Sequence, residues 1–232
     1  MKRDAIAIFL CAKTPNMATP WAEAGYECYC VDVQHEIRRE RVTGNIHFVW
    51  GDVRSWIPPP RRPIAFVAGF PPCTDTAGSG ARDFAAKGGA MLRDAVELFD
   101  ACRKSAAWSG APYLIEQPVG VMSNLPHIGK PDYYFDPCDY TGFELTDDYQ
   151  KRTCLWTGNG FVMPTPKRFV HHEEILVLGS PAPNAPDANR ILGLSPSADR
   201  ADIRSATPLG FARAVFHANN PDAQAMQWQT GT

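Results

Sequence analysis

Short apolar runs separated by turn-forming residues dominate the first half of the chain. The runs have the length and the β-branched or aromatic content of buried strands, and they cover residues 5–10, 27–33, 46–50, 64–69 and 113–116. Between them, residues 17–24 are helix formers that end at Gly25. Apolar residues recur near helical period over 83–109, where two glycines favour either one long helix or a broken one. Strands that alternate with helices or crossovers predict an α/β fold with a doubly wound, mostly parallel sheet.

The pattern becomes irregular after Pro118. One further strand is predicted over 153–156, and residues 164–200 are dense in Pro, Asn, Asp and Ser, which is typical of long loops. An amphipathic run over 207–219, with a proline near its start, predicts a terminal helix. We therefore expect one main domain, formed by residues 1–156 and 205–232, and a small irregular lobe over 157–204.

The fourth apolar run stops abruptly at a Pro71-Pro72-Cys73 corner. A buried parallel strand that ends in Gly and Pro delivers its loop to the rim of the sheet, where ligands bind in open α/β folds. Cys73 is therefore a candidate nucleophile. The alternative is that its thiol fills space as a small buried hydrophobe, which is the usual role of cysteine.

Composition limits the class of protein. The 23 basic and 25 acidic side chains give a net charge of -2, so any contact with nucleic acid must be local rather than driven by a global field. Seven cysteines, an odd number, favour reduced thiols in a cytoplasm-like compartment. The first apolar run is too short for a signal peptide or a membrane span, so we expect a cytoplasmic protein without a membrane partner, and a monomer by default.

Carboxylates stand at the ends of three other predicted strands. Asp32 lies near the end of the second strand, Asp52 follows the third, and Glu116 ends the fifth. Parallel strands gather such tips on one rim, together with Cys73. A carboxylate after the second strand suits a ribose diol, because an ionised carboxylate accepts two hydroxyl hydrogen bonds. Taken singly, each aspartate is equally well explained as a helix cap or turn residue.

These positions belong to a larger set of motifs. The set comprises Phe9 and the turn after it, Asp32, Gly51-Asp52, Gly69-Phe70-Pro71-Pro72-Cys73, Ile115-Glu116-Gln117-Pro118, Gln150-Lys151-Arg152 and Ala206-Thr207-Pro208. In order and spacing it resembles the motifs of the cytosine C5 DNA methyltransferases, most closely the compact forms of bacteriophages and prophages, over most of the chain. The resemblance implies a Rossmann-like class I S-adenosylmethionine-dependent methyltransferase fold, in which residues 157–204 are a reduced target-recognition region. It also implies that the protein works in the cytoplasm of a bacterial or phage-infected cell.

The resemblance also implies a reaction and its catalytic residues. A thiolate adds to carbon 6 of cytosine and turns the ring into an enamine, which attacks the methyl group of S-adenosylmethionine. Cys73 would be that thiolate, and Glu116 would contact ring N3 and the exocyclic amine. Arg152 would lie near the base or its phosphate. Because carbon 5 is buried in duplex DNA, the base must be flipped out of the stack.

By the same resemblance, the donor S-adenosylmethionine has its own set of contacts. Asp32 would hold its ribose, Asp52 its adenine amine, and Phe9 would pack on the adenine ring. The full set of implied cofactor-binding residues is Phe9, Leu10, Cys11, Asp32, Val33, Asp52, Val53, Phe70, Pro71 and Thr207.

Several positions depart from the family pattern. The turn at 11–16 carries none of the glycines that usually let the backbone approach the donor, Thr74 follows the nucleophile where Gln or Asn is common, and Cys154 replaces a second arginine. The small lobe is also short for a domain that reads DNA sequence. These departures leave two alternatives open. In the first, the enzyme modifies carbon 5 of a free pyrimidine nucleotide or of an already modified base, or uses a modified donor. In the second, the chain is a methyltransferase-like protein that binds nucleic acid or nucleotide without turnover.

Two patterns that suggest metal binding are weak. In His171-His172-Glu173-Glu174 the ligands are adjacent rather than four residues apart, and Cys28 and Cys30 alternate along a strand without a second pair at ligand spacing. We expect no metal. Short basic clusters at 38–41 and 61–62 are candidate phosphate contacts, although a solvated surface explains them at least as well.

Overall fold

A computed structural model describes residues 3–74, 76–77, 84–169 and 205–222, without the side chains of 84–88. The strands β1 to β8 are Ile6–Leu10, Glu27–Asp32, Arg41–Thr43, Ile46–Trp50, Ile64–Gly69, Tyr113–Pro118, Tyr133–Phe135 and Thr153–Gly158. The helices α1 to α3 are Thr19–Glu23, Phe84–Trp108 and Leu209–Asn219, and short 3-10 helices span Met122–Asn124, Pro137–Tyr140 and Leu145–Asp147.

The strands form one eight-stranded mixed sheet in the order β3-β4-β2-β1-β5-β6-β8-β7. The central strands β4, β2, β1, β5 and β6 are parallel, whereas β3 runs antiparallel to β4, and β8 runs antiparallel to both β6 and β7. After β1 the chain adds β2, β3 and β4 on one side of the sheet, and it then crosses to β5, which pairs with the other side of β1. This confirms the expected α/β class with a mostly parallel sheet, an arrangement compatible with a Rossmann-like fold.

Both faces of the central sheet are buried, which explains its continuous apolar strands. Along β1, Ile6, Ile8 and Leu10 pack into a cluster with Phe99 of α2. The alternate residues of β1 pack on the opposite face, in a cluster that includes residues of α3 such as Phe211. Period-two alternation thus divides the residues of β1 between two cores.

The observed elements match most of the expected ones. Strands β4 and β5 have the expected bounds, and α2 runs without a break through Gly88 and Gly89, so the long-helix alternative is correct. The sequence pattern missed β3 and β7. β3 has three exposed residues and carries no apolar pattern, whereas β7 is Tyr133-Tyr134-Phe135, a three-residue edge strand with only Phe135 buried, which is too short to show an alternation.

Most of the expected small lobe, 170–204, lies outside the described residues, so the domain division stays a prediction. Its first part lies against the main domain. The backbone N–H of Val162 donates to Asn219 at the end of α3 (2.8 Å), and the hydroxyl of Tyr140 donates to the carbonyl of Pro164 (3.0 Å). Within the described ranges, no helix has the length and apolar character needed to cross a membrane.

Candidate active site

The strand order reverses between β1 and β5, and their carboxyl ends form the middle of one rim. The N–H of Phe70 donates to the carbonyl of Leu10 (2.9 Å), which continues the pairing beyond β5. Cys11 follows β1 in the left-handed region, at φ 52°, a conformation that normally favours glycine. Ligands of doubly wound folds bind at such a reversal, so this rim is the candidate site.

Cys73 lies in the loop that follows β5. Pro71, two residues before it, is buried, and Cys73 is half-buried. Its carbonyl accepts hydrogen bonds from the N–H groups of Thr76 (3.1 Å) and Ala77 (2.9 Å). These bonds close a tight turn immediately after the cysteine. The backbone of Cys73 is therefore fixed on both sides.

Gln117, one residue beyond Glu116 on β6, fastens this loop to the sheet. Its buried amide nitrogen donates to the carbonyl of Pro71, and its amide oxygen accepts from the hydroxyl of Thr76 (2.9 Å). The N–H of Val121 donates to the carbonyl of Thr76 (2.8 Å), which adds a backbone tie. No role for Gln117 was predicted from the sequence, because its partners Pro71 and Thr76 lie 46 and 41 positions away.

Glu116 lies at the end of β6 with its side chain only 8% exposed. One carboxylate oxygen accepts from the hydroxyl of Thr207 (3.3 Å), and the other lies 3.9 Å from the ammonium nitrogen of Lys151. Burial raises the pKa of Glu116 above its ordinary value, and Lys151 and the Thr207 hydroxyl oppose that rise. The arrangement favours a carboxyl that carries a proton at higher pH than an exposed one would.

Thr207 joins this carboxylate to the first turn of the chain. It precedes α3, and its carbonyl accepts from the side-chain amide of Asn16 (2.8 Å) in the turn after β1. Asp147 anchors the helix start, because its carboxylate accepts from the N–H of Gly210 (2.7 Å). Thus Thr207, expected at the donor site, contacts the predicted catalytic Glu116.

Arg152 points away from Glu116. Its side chain is 57% exposed, and its guanidinium donates to Asp136 (3.1 Å) and lies 5.3 Å from the ring centroid of Tyr134. The preceding residue, Lys151, supplies the cation beside Glu116 instead. A role of Arg152 at the base or its phosphate stays a prediction.

The carboxylate of Asp32 is suited to a ribose. The residue is buried at the end of β2, and one oxygen accepts from the N–H of Gln34 (2.8 Å). Among the described residues, no hydrogen bond occupies the other oxygen. Val33, the next residue, is 56% exposed at the same rim and offers an apolar surface to a flat ring.

Asp52 is engaged by a neighbouring arginine. Both of its oxygens accept from Arg54, at 2.7 to 3.1 Å, and Arg54 also pairs with Asp94 of α2 (2.8 Å). The hydrogen bonds from Arg54 lower the pKa of Asp52 below its ordinary value. An adenine amine would therefore share this carboxylate with a guanidinium. Val53 after it is buried in the α2-side core.

The remaining expected donor contacts lie deeper in the fold. Phe9 is fully buried in the core on the α3 side, and Leu10 is buried on the α2 side. Phe70 is half-buried against the α3-side core. Contact of the Phe9 ring with adenine stays a prediction.

Cys11 meets a second thiol below the rim. Its sulfur lies 3.8 Å from that of Cys102 on α2, which is fully buried. The contact with Cys11 and burial together raise the pKa of Cys102 well above its ordinary value. All seven cysteines lie in the described residues, and none forms a disulfide.

The remaining sequence candidates are the possible metal ligands and the two basic clusters. Across the described ranges, no group of three or more His, Cys, Asp or Glu side chains is arranged to hold a metal ion, and residues 171–174 fall outside them. In the basic clusters, Arg41 stacks on Phe48 and Arg62 pairs with Glu27 (3.2 Å). DNA contact by these clusters stays a prediction.

Comparison with known proteins identifies no family. No protein-family model matches the chain, and no curated protein matches it significantly.

Proposed function

We propose that this chain is an S-adenosylmethionine-dependent methyltransferase that acts at carbon 5 of cytosine in DNA through a covalent bond between Cys73 and carbon 6. One observation carries the proposal. Glu116 and Gln117 are consecutive residues of β6. Glu116 presents a buried carboxyl that can exchange a proton with the base, and Gln117 holds the loop that carries the nucleophile Cys73.

The topology supports the same conclusion. A mostly parallel sheet with its reversal between β1 and β5 is compatible with the class I methyltransferase fold that the motifs imply. Asp32 ends β2, Val33 follows it, and Thr207 contacts Glu116 of β6, so all three lie at the rim where a nucleoside-containing donor would bind. The donor would supply an electrophilic methyl group on a sulfonium.

The residues of the chain then divide the work. The Cys73 sulfur forms a bond to carbon 6 while Glu116 gives its proton to ring N3, so the ring becomes a neutral enamine that attacks through carbon 5. After methyl transfer, the proton on carbon 5 leaves to solvent, the sulfur–carbon bond breaks and Glu116 recovers its proton from N3. Cys73 is regenerated as thiolate.

The product of the reaction tests the proposal directly. The protein is incubated with the donor and duplex DNA or with dCMP, and the nucleosides are analysed by mass spectrometry. We expect 5-methylcytosine in the DNA. Product in dCMP alone would replace DNA by a free nucleotide as the substrate, and no product with either acceptor would favour binding without turnover.

A trapping experiment tests the nucleophile. DNA that contains 5-fluorocytosine retains the covalent adduct, because fluorine cannot leave as the proton does. We expect an adduct that resists denaturation with the wild-type protein and with Cys138→Ala, a control at a buried cysteine on a 3-10 helix. Cys73→Ala should form none, and an adduct with that variant would refute the assignment.

A further inference from the structure

We propose that Lys151, rather than its neighbour Arg152, is the cationic positioning residue of the base pocket, where its ammonium group orients the Glu116 carboxylate and governs proton exchange between that carboxylate and the base. This inference rests on the proposed function, because it assigns the control of the proton that the reaction needs.

The backbone fixes the direction of both side chains. The N–H of Lys151 donates to one oxygen of Asp136 (3.0 Å), and the other oxygen of Asp136 accepts from the guanidinium of Arg152 (3.1 Å). The carbonyl of Lys151 accepts from the hydroxyl of Thr153 (2.7 Å) at the start of β8. With Arg152 held outward by Asp136, the side chain of Lys151 turns inward to Glu116.

Burial separates the two cations further. The side chain of Lys151 is 20% exposed and that of Arg152 is 57% exposed, whereas Glu116 is 8% exposed. An ion pair with little access to water is screened weakly, so the ammonium acts strongly on the carboxylate even at 3.9 Å.

No other charged group in the described residues replaces Lys151 at this position. Across the strands that flank β6, Glu116 lies beside Leu155 of β8, and Gly69 of β5 lies beside Ile115. From the segment before α3, Thr207 contributes a neutral hydroxyl. The charge that faces Glu116 from these elements is therefore that of Lys151, in a chain that has Cys154 where the family carries a second arginine.

The pairing suits a carboxyl that must both give and recover a proton. Burial alone would keep Glu116 neutral, because it makes the ionised carboxylate costly to form. The ammonium stabilises the carboxylate that forms when the O–H bond breaks and N3 takes the proton, without itself being consumed. Lys151 thus reduces the free-energy difference between the protonated and the ionised carboxyl of Glu116, the two states between which the catalytic cycle alternates.

The link is measured first on the protein alone. Glutamate labelled with 13C at the side-chain carboxyl is titrated by NMR, and the Glu116 signal is identified by its loss in Glu116→Gln. We expect the Glu116 midpoint to move to higher pH in Lys151→Met and to return toward the wild-type value in Lys151→Arg. Lys104→Met removes one exposed lysine from α2 and should leave the midpoint unchanged.

Turnover provides the second readout. If protonated Glu116 is the active form, the alkaline limb of the single-turnover rate should move to higher pH in Lys151→Met, in the direction of the NMR midpoint, and Lys151→Arg should restore it. Lys151→Gln repeats the test if the methionine variant does not fold. An unchanged Glu116 midpoint in Lys151→Met, or an equal shift in Arg152→Met, would overturn the role of Lys151.

Failure of the two proposals can be told apart. A wild-type protein that forms no adduct with 5-fluorocytosine DNA refutes the proposed reaction, and the NMR midpoints still decide whether Lys151 controls Glu116. An adduct together with an unmoved midpoint retains the reaction and refutes the role of Lys151.

Discussion

Gln117 and Thr76 share a 2.9 Å hydrogen bond that joins the end of strand β6 to the loop carrying Cys73. The other end of the same amide donates to the carbonyl of Pro71, so one side chain holds residues on both sides of the cysteine. The proposed nucleophile therefore depends on a residue that takes no part in its chemistry.

Gln117→Leu should loosen this loop. The substitution removes the hydrogen bond to the carbonyl of Pro71 and leaves the Thr76 hydroxyl with only its longer bond, 3.4 Å, to the carbonyl of Cys73. An unsatisfied buried polar group costs about 1 to 3 kcal/mol, and we expect the free energy of unfolding, measured by urea denaturation, to fall by that amount. Alkylation of Cys73 by iodoacetamide, followed by peptide mass spectrometry, should change in rate.

A matched change elsewhere serves as the control. Gln34→Leu alters an exposed glutamine and should change stability by about 0.5 kcal/mol or less. If Gln117→Leu is as stable as Gln34→Leu and Cys73 reacts at the wild-type rate, the amide does not hold the loop.

Glu116→Gln should remove the pH-dependent loss of stability that the buried carboxyl causes. The folded state raises the pKa of Glu116, so it keeps its proton where the unfolded chain has released it, and stability falls as pH rises from the unfolded pKa through the folded one. Each unit by which the two pKa values differ corresponds to about 1.4 kcal/mol. Glu116→Gln should therefore be more stable than wild type at neutral pH, with the gain disappearing below about pH 4.

Urea denaturation across that pH range measures the effect, with Glu97→Gln, at an exposed position on α2, as the control. A constant difference between Glu116→Gln and wild type at all pH values would contradict the buried carboxyl. The same variant should form little methylated product, so stability and activity would change in opposite directions.

Asp32→Asn should weaken donor binding. The amide replaces a carboxylate that accepts two hydroxyl hydrogen bonds by a group that accepts fewer and weaker ones. Isothermal titration calorimetry with S-adenosylmethionine should show affinity lower by about 10- to 100-fold, or roughly 1.4 to 2.7 kcal/mol. Glu97→Gln carries the same loss of charge on an exposed helix face and should bind like wild type. Equal binding by both variants would place the ribose elsewhere.

Arg152→Met separates DNA contact from fold stability. The Arg152 side of its ion pair with Asp136 is 57% exposed, and Asp136 keeps its hydrogen bond from the N–H of Lys151, so the loss should cost no more than about 1 kcal/mol of stability. If the guanidinium meets a phosphate, DNA affinity should fall and the slope of log affinity against log salt should decrease by about 1. Arg93→Met on α2 is the control. An unchanged salt slope would remove Arg152 from the DNA surface.

The sequence was most informative where burial is two-sided. Strand β5 was expected with its observed bounds because nearly every residue of this central strand must fit one of two cores, which leaves a continuous apolar run. Edge strands such as β7 meet no such demand. Their pairing depends on a partner that is distant in sequence.

The site divides along the same line. Cys73 and Glu116 could be proposed because the end of a strand is visible in sequence. The inward turn of Lys151 depends on Asp136, 15 positions earlier, and that bond leaves no local pattern. The role of Gln117 was likewise hidden, since its partner Thr76 is 41 positions away.

The hydrogen bond between Asn16 and the carbonyl of Thr207 spans 191 positions. Contacts of such separation form late, because closing a long loop costs entropy before any contact compensates for it. During synthesis, the sheet strands up to β8 emerge before Thr207 exists, so Glu116 remains uncovered until α3 has docked. If the proposed reaction is correct, the Glu116 pocket of a nascent chain is complete only after residue 207 has been synthesised and α3 has packed into its core cluster.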